Sequence, residues 1–84
     1  MRVRLLYFAR VRDFMGCSED TVEIDTAKLD GTGLIEWMAG KAPAIAEKLR
    51  DPSIRLIINQ EIGAMDRPIV DGDEVALVPP FSGG

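Results

Sequence analysis

The sequence predicts an α+β domain with a mixed sheet of four to five strands and one main helix packed across one face. Short β-branched and apolar segments stand near both ends of the 84-residue chain. The one long stretch with helical periodicity lies between them. A chain of this length has room for a single domain with one small core, so strands from both ends are expected to share a sheet.

The first third of the chain predicts two strands and a short helix. Residues 3–9 are aliphatic and aromatic, which is typical of a strand with two apolar faces. Residues 10–15 show helical spacing, and Gly16 is a natural end for that helix. Residues 21–25 alternate between apolar and polar and have acidic flanks, which suits an antiparallel strand at a sheet edge.

The middle of the chain carries the main helical signal. Apolar residues recur every three or four positions over residues 34–49, and Asp30 or Thr32 is placed to cap the start. Pro43 lacks an N–H and its ring clashes with the preceding turn. We therefore expect a helix that ends near Lys41, followed by a shorter helical piece.

The last third predicts strands again. Residues 54–59 are β-branched and apolar, and residues 62–65 form a short strand at best. Residues 74–78 predict a final strand, because they follow the Asp-Gly-Asp turn signal at residues 71–73. The prolines at 79–80 end strand pairing, since neither has an N–H to donate.

This order of elements, two strands, a helix and three strands, predicts a β-grasp roll. We assign residues 1–78 to the β-grasp domain and residues 79–84 to an extended C-terminal tail. The N-terminal apolar run is too short for a signal sequence, and no apolar stretch approaches the roughly 20 residues of a membrane span. We therefore expect a cytoplasmic location and no contact with membranes.

Composition limits the classes of function. The chain has no histidine, one cysteine and a net charge of −4. Without histidine it lacks the commonest general base and metal ligand, so we expect no metal site. Cys17 has no histidine partner and is a poor candidate nucleophile. The acidic balance argues against nucleic acid as a partner, because binding to phosphates requires clustered cations.

The tail is the best candidate for chemistry. The sequence ends Pro-Pro-Phe-Ser-Gly-Gly. Gly83 and Gly84 have no Cβ, so this segment can carry the terminal carboxylate through a narrow channel of an enzyme that acts on it. The alternative is an ordinary frayed end, since chain termini are often disordered.

Short motifs spread over nearly the whole chain point to a known family. They are Tyr7-Phe8-Ala9, Val11-Arg12, Gly16, Asn59-Gln60, the run from Asp71 to Ala76, Pro79-Pro80 and Ser82-Gly83-Gly84. In these motifs the chain resembles the small, sulfur-carrying subunit of molybdopterin synthase, a ubiquitin-like β-grasp protein. It departs from that family at Leu77-Val78, where members often carry aromatic residues.

The resemblance implies a reactive group on the backbone. An ATP-dependent, E1-like adenylyltransferase would convert the carboxylate of Gly84 to an acyl-adenylate, and a sulfur donor protein would convert that to a thiocarboxylate. The tail would then enter the large catalytic subunit, and the absence of a side chain at Gly83 would allow it to pass through a narrow channel there. It would give sulfur to cyclic pyranopterin monophosphate in molybdenum cofactor biosynthesis. The resemblance implies two small and two large subunits, catalytic side chains from the partner, and no permanently bound cofactor beyond the transient adenylate.

Strand alternation predicts a docking surface. If Val3, Leu5, Val75 and Leu77 lie beneath the helix, the opposite face of the sheet is apolar as well. The alternative is that a loop or a second layer covers this face. With the tail, the predicted partner-binding residues are Leu6, Phe8, Ile57, Ala76, Val78, Pro79, Pro80, Phe81 and Ser82.

Three other functions share these features. A sulfur carrier for thiamine synthesis would have the same fold and the same Gly-Gly end. A ubiquitin-like modifier would form amide bonds with lysines, and an interaction module would carry an inert tail. The length of the helical middle and the Pro-Pro-x-Ser-Gly-Gly ending favour the molybdopterin carrier.

Overall fold

A five-stranded mixed sheet forms the body of the molecule. The structure, a computed structural model, describes residues 1–79. Its elements in chain order are β1 (Arg2–Tyr7), α1 (Arg10–Met15), β2 (Glu19–Glu23), β3 (Leu29–Asp30), α2 (Gly31–Lys41), a 3-10 helix (Pro43–Ile45), α3 (Ala46–Leu49), β4 (Arg55–Ile58), β5 (Glu61–Gly63), β6 (Pro68–Ile69) and β7 (Glu74–Val78).

The first and last strands lie side by side in the middle of the sheet, whose order is β2-β1-β7-β4-β5. Strands β1 and β7 run parallel, with Leu5 opposite Val75. Strand β4 runs antiparallel to β7, and β2 and β5 are antiparallel edge strands. Strands β3 and β6 pair separately. This arrangement confirms the predicted β-grasp roll and the edge position of β2.

The core lies between one face of the sheet and the inner side of α2. Leu5, Leu56 and Leu77 point from the sheet into it, and each is at most 1% exposed. Leu34 and Met38 meet them from α2. Full burial of one such side chain contributes roughly 1.5–3 kcal/mol, so this layer fixes which face of the sheet is covered. Within residues 1–79, no helix combines the length and apolar character that a membrane span needs.

Helix α2 begins where the sequence predicted a cap. The side chain of Asp30 accepts a hydrogen bond from the N–H of Gly33 at 2.8 Å. Gly31 lies so close to the sheet that an added Cβ would stand 2.7 Å from a methyl of Leu56 and 2.9 Å from the carbonyl oxygen of Met65. The start of α2 therefore requires glycine for close approach.

Pro43 divides the helical segment as expected. Helix α2 ends at Lys41, and Pro43 opens the 3-10 helix that leads into α3. Leu49 of α3 is 1% exposed, so the second piece still packs against the core.

Several strand boundaries differ from the prediction. Strand β1 ends at Tyr7 because Ala9 adopts a φ of 50° and a ψ of −124°, which turns the chain into α1. Strand β2 begins at Glu19, because its pairing with β1 starts opposite Leu6. The two-residue pair of β3 and β6 was not predicted, since such short strands show no alternation.

The turn between β4 and β5 is tied to the loop before β7. Asn59 and Gln60 have φ values of 50° and 70°, as a two-residue hairpin turn requires. The side-chain amide nitrogen of Asn59 donates to a carboxylate oxygen of Asp73 at 2.8 Å. The side-chain amide oxygen of Asn59 accepts from the backbone N–H of Glu74 at 3.0 Å. Asp73 is 8% exposed and also accepts from the N–H of Val70 at 2.8 Å. This network fixes where β7 begins.

We predict that Asn59→Ala lowers the free energy of unfolding by about 2 kcal/mol more than Gln60→Ala, measured by urea denaturation. Both positions have a positive φ, which asparagine adopts more readily than glutamine or alanine, so the backbone adds to the loss at Asn59. Only Asn59 makes side-chain hydrogen bonds to the β7 loop. Equal losses for the two variants would contradict this role.

Candidate functional site

The last residues of β1 and β7 lie at the same end of the sheet, because the two strands are parallel. Val78, the last residue of β7, pairs with Arg55, the first residue of β4. Phe8 follows β1, and its N–H donates to the carbonyl oxygen of Leu77 at 3.3 Å. Phe8, Val78 and Arg55 lie together at this end of the sheet, which we call the tail edge. The chain continues from there into residues 79–84.

An apolar patch lies on the outer face of the sheet, opposite the face that carries α2. One row of paired residues crosses four strands, from Leu6 on β1 to Ile62 on β5. Phe8 and Val78 extend this row to the tail edge. Phe8 is 48% exposed and Ile62 is 83% exposed, so the patch is open to solvent. The outer-face patch consists of Leu6, Phe8, Ile57, Ile62, Ala76 and Val78.

Most of the predicted docking residues lie together in this patch. Leu6, Ile57 and Val78 are half-buried on the outer face. Ala76 differs from the expectation of an outward contact residue, since it is only 5% exposed although it lies outside the core cluster. The larger residues paired on either side of it, Leu6 and Ile57, account for this cover. That these residues bind a partner stays a prediction.

Ile62 was missing from the sequence-based set. It pairs with Ile57 across the hairpin and is the most exposed large apolar side chain in the described residues. The signal was present in the sequence, because a two-residue turn at Asn59 and Gln60 places residues 57 and 62 opposite each other. Without glycine at position 60, the hairpin signal was weak.

The other half of the outer face is charged. The guanidinium of Arg4 lies 2.8 Å from Glu19 and 3.6 Å from Glu74, and Arg2 lies 2.6 Å from Glu23. The hydrogen bond to Glu19 is the main cause of a raised pKa at Arg4. These are exposed ion pairs that contribute little to stability. They do, however, confine the apolar patch to the part of the face nearest the tail edge.

Tyr7 anchors the strand end directly before Phe8. Its side chain is 3% exposed, and its hydroxyl donates to a carboxylate oxygen of Asp20 at 2.9 Å. Burial, and then the hydrogen bond and negative charge of Asp20, raise the pKa of Tyr7 well above its ordinary value of 10.0. Cys17 lies 3.5 Å from the same oxygen, and its pKa is also raised, mainly by burial. A raised pKa leaves less of the nucleophilic thiolate at neutral pH.

The tail itself lies largely outside the described residues. Of the predicted site residues, Pro80, Phe81, Ser82, Gly83 and Gly84 fall there, together with the predicted reactive carboxylate. Pro79 is described and is buried at the tail edge. No group of three or more Asp, Glu, His or Cys side chains within residues 1–79 is placed to hold a metal ion.

A mixed sheet with its first and last strands paired in parallel, and a helix across one face, defines a ubiquitin-like β-grasp protein. The chain belongs to the ThiS family, whose profile matches residues 5–84.

Named relatives are similar to this chain over its full length. The molybdopterin synthase sulfur carrier subunit of Escherichia coli (strain K12) is 34% identical over 82 residues, which cover 98% of this chain and 99% of that protein. The subunit of the same name from Chlamydomonas reinhardtii is 34% identical over 87 residues, covering 100% of both. The crystal structure of SAMP1 from Haloferax volcanii covers 100% of both chains with a TM-score of 0.82 and 26% identity.

We predict that the free energy of unfolding falls as the pH rises above about 10, by up to about 1.4 kcal/mol per pH unit from Tyr7 alone. The folded pKa is raised, so the unfolded chain loses its tyrosine proton first. The contribution of Tyr7 is therefore complete below pH 10 and is lost above it.

The Tyr7→Phe variant provides the control. It lacks the ionisable hydroxyl, so its stability should fall less steeply between pH 9 and pH 11 in urea denaturation. Tyr7 is the one tyrosine in the chain, so tyrosinate absorbance reports its ionisation directly. Parallel stability curves for the two proteins would contradict the prediction.

Proposed function

We propose that this chain is the sulfur-carrier subunit of a molybdopterin synthase. The observation that carries the proposal is the full-length similarity to subunits of that name, at 34% identity with nearly complete coverage of both chains. The family match extends through residue 84 and so includes the Gly-Gly end. The geometry fits this function, because the central strand β7 leads directly from the outer-face patch into the tail.

The proposed chemistry takes place at the carboxylate of Gly84. A carboxylate is a poor electrophile, so an E1-like adenylyltransferase first joins it to the AMP portion of ATP and releases pyrophosphate. Sulfur at the oxidation level of sulfide, supplied by a donor protein, then attacks the acyl carbon and displaces AMP, which leaves a thiocarboxylate. The sulfur of a thiocarboxylate is a much better nucleophile than a carboxylate oxygen, which makes the tail a sulfur donor for cyclic pyranopterin monophosphate. ATP is thus a substrate of the activating enzyme.

In this proposal the catalytic side chains belong to the large subunit. The chain contains no histidine, and its cysteine thiol has a raised pKa. What the chain supplies is a tail that glycine makes narrow and a surface that places the tail in the partner. The assembly is a heterotetramer of two small and two large subunits, in the cytoplasm.

The outer-face patch is the proposed docking surface for the large subunit and for the activating enzyme. It carries an exposed aromatic ring, Phe8, and a nearly fully exposed Ile62. Exposed apolar surface of this kind marks protein interfaces, and aromatic residues within it often dominate the binding energy. The charged half of the face, around Arg4, then forms the rim of the interface.

A protein modifier is the second candidate. It is favoured by the likeness to SAMP1, a name that abbreviates small archaeal modifier protein 1, at 26% identity. In a modifier, the activated Gly84 carboxyl would react with lysine side chains of other proteins. Conjugates that contain this chain, found by mass spectrometry of cell extracts, would favour that function. Complementation would distinguish a carrier for thiamine synthesis from one for molybdopterin synthesis. The chain is expressed in a strain that lacks the molybdopterin carrier and in a strain that lacks the thiamine carrier, and growth shows which one it replaces.

We predict that Phe8→Glu weakens binding to the large synthase subunit by about 30-fold or more, measured by isothermal titration calorimetry. Ile62→Glu should also weaken binding to the large subunit. Both side chains are exposed, so the free energy of unfolding should change by no more than about 0.5 kcal/mol.

Val70→Glu is the matched control for these variants. Val70 is 58% exposed and lies outside the outer-face patch, so the same charge change there should leave the affinity unchanged. Equal affinities for Phe8→Glu and Val70→Glu would exclude the patch as the docking surface.

We also predict that the chain, isolated from cells that make the cofactor, carries a thiocarboxylate at Gly84. Intact-mass spectrometry should find a species heavier by the replacement of one oxygen atom with sulfur, and fragmentation should place the difference at Gly84. Deletion of Gly84 should abolish this species and leave the fold intact. Its consistent absence from the unaltered chain would argue for an inert tail.

A further inference from the structure

Three arginines lie on the outer face of the sheet. Arg2 and Arg4 belong to β1, and Arg55 is the first residue of β4. Arg2 lies 2.6 Å from a carboxylate oxygen of Glu23, and Arg4 lies 2.8 Å from one of Glu19. Within residues 1–79, Arg55 has no carboxylate within salt-bridge distance. Of the three, Arg55 alone is left without a compensating charge in that part of the chain.

Arg55 lies at the tail edge. It pairs with Val78, the last residue of β7, so the two side chains point to the same face of the sheet. Ile57 of the outer-face patch lies two residues farther along β4, on that same face. Arg55 is exposed. A protein that covers the outer-face patch and takes up the tail therefore meets this charge where the chain leaves the sheet.

The guanidinium of Arg55 is partly held in place. Its Nη1 donates to the carbonyl oxygen of Pro52 at 3.3 Å, in the loop between α3 and β4. A guanidinium carries five N–H groups in a planar fork, so most of them stay free to bind a further acceptor. The contact with Pro52 reduces the freedom that the side chain loses when it binds such an acceptor.

An arginine that a partner covers needs an anion. A guanidinium stays protonated in proteins, so Arg55 cannot give up its charge when water is removed from it. The side chains beside it at the tail edge, Phe8 and Val78, are apolar and offer no acceptor. Covering an unpaired cation is strongly unfavourable. A carboxylate compensates for the lost hydration, because it can accept two parallel N–H bonds from the fork.

We propose that Arg55 is a specificity-determining residue, and that the large synthase subunit presents an Asp or Glu carboxylate to it at the tail edge. The proposal rests on the proposed function, because it concerns the docking surface for that subunit. It runs against the overall charge of the chain, which at −4 favours basic surfaces. A partner without the carboxylate is rejected, because it covers Arg55 without supplying an anion.

Substitution of Arg55 tests this pair, with affinity for the large subunit measured by isothermal titration calorimetry. Arg55→Glu should weaken binding by about 30-fold or more, since it places one carboxylate opposite another. Arg55→Gln should weaken binding by about 10-fold, and Arg55→Lys, which keeps the charge, by less than that. Because Arg55 is exposed, the midpoint of urea denaturation should be the same for each variant as for the unaltered chain.

Lys28→Glu is the matched control. Lys28 is exposed and lies between β2 and β3. Strand β2 ends opposite Arg2, so this segment follows from the end of the sheet that lies away from the tail edge. Both substitutions replace a positive side chain with a negative one, so they change the net charge equally. Lys28→Glu should not weaken binding, which separates a local pair at Arg55 from the effect of overall charge.

Equal affinities of Arg55→Glu and Lys28→Glu for a large subunit that binds the unaltered chain would overturn this proposal and leave the sulfur-carrier function standing. A complete lack of binding by the unaltered chain would overturn the proposed function, and this inference with it. One set of titrations therefore distinguishes the two failures.

Discussion

The burial of one face of β1 and β7 beneath α2 is the interaction on which the rest of the structure depends. Leu5 and Leu77 are at most 1% exposed in that layer. Because side chains alternate along a strand, this burial forces Leu6 and Val78 onto the opposite face. The outer-face patch is therefore a consequence of how the core is filled. A slip of one residue in either strand would exchange the core and patch residues, at the cost of the whole buried layer.

The same sheet separates two regions along its strands. At one end of the outer face, Arg4 bridges Glu19 and Glu74, which keeps that part polar. At the tail edge the apolar side chains of Phe8 and Val78 lie beside Arg55, and the chain leaves the sheet there. A partner that covers the apolar part is thereby placed next to the tail. The position of β7 in the sheet links the proposed recognition surface to the proposed reactive end.

The parts of the fold that depend on local chemistry were predictable from the sequence. The break at Pro43, the cap at Asp30 and the alternation through Leu5 each follow from a rule that acts over a few residues. What was missed depends on pairing between distant segments. Ile62 enters the patch only through the β4–β5 register, and Ala76 is covered only because larger residues flank it on both neighbouring strands. The sequence-based site otherwise rests on the tail, of which only Pro79 lies within the described residues.

The pairing of Leu5 with Val75 also bears on how the chain folds. It joins residues from the two ends of the sequence, so most of the 84-residue chain must be closed into a loop before the central contact forms. Folds dominated by such distant contacts form more slowly than those built from local ones. The outer-face patch, which takes residues from both β1 and β7, is therefore complete only after this distant pairing has formed.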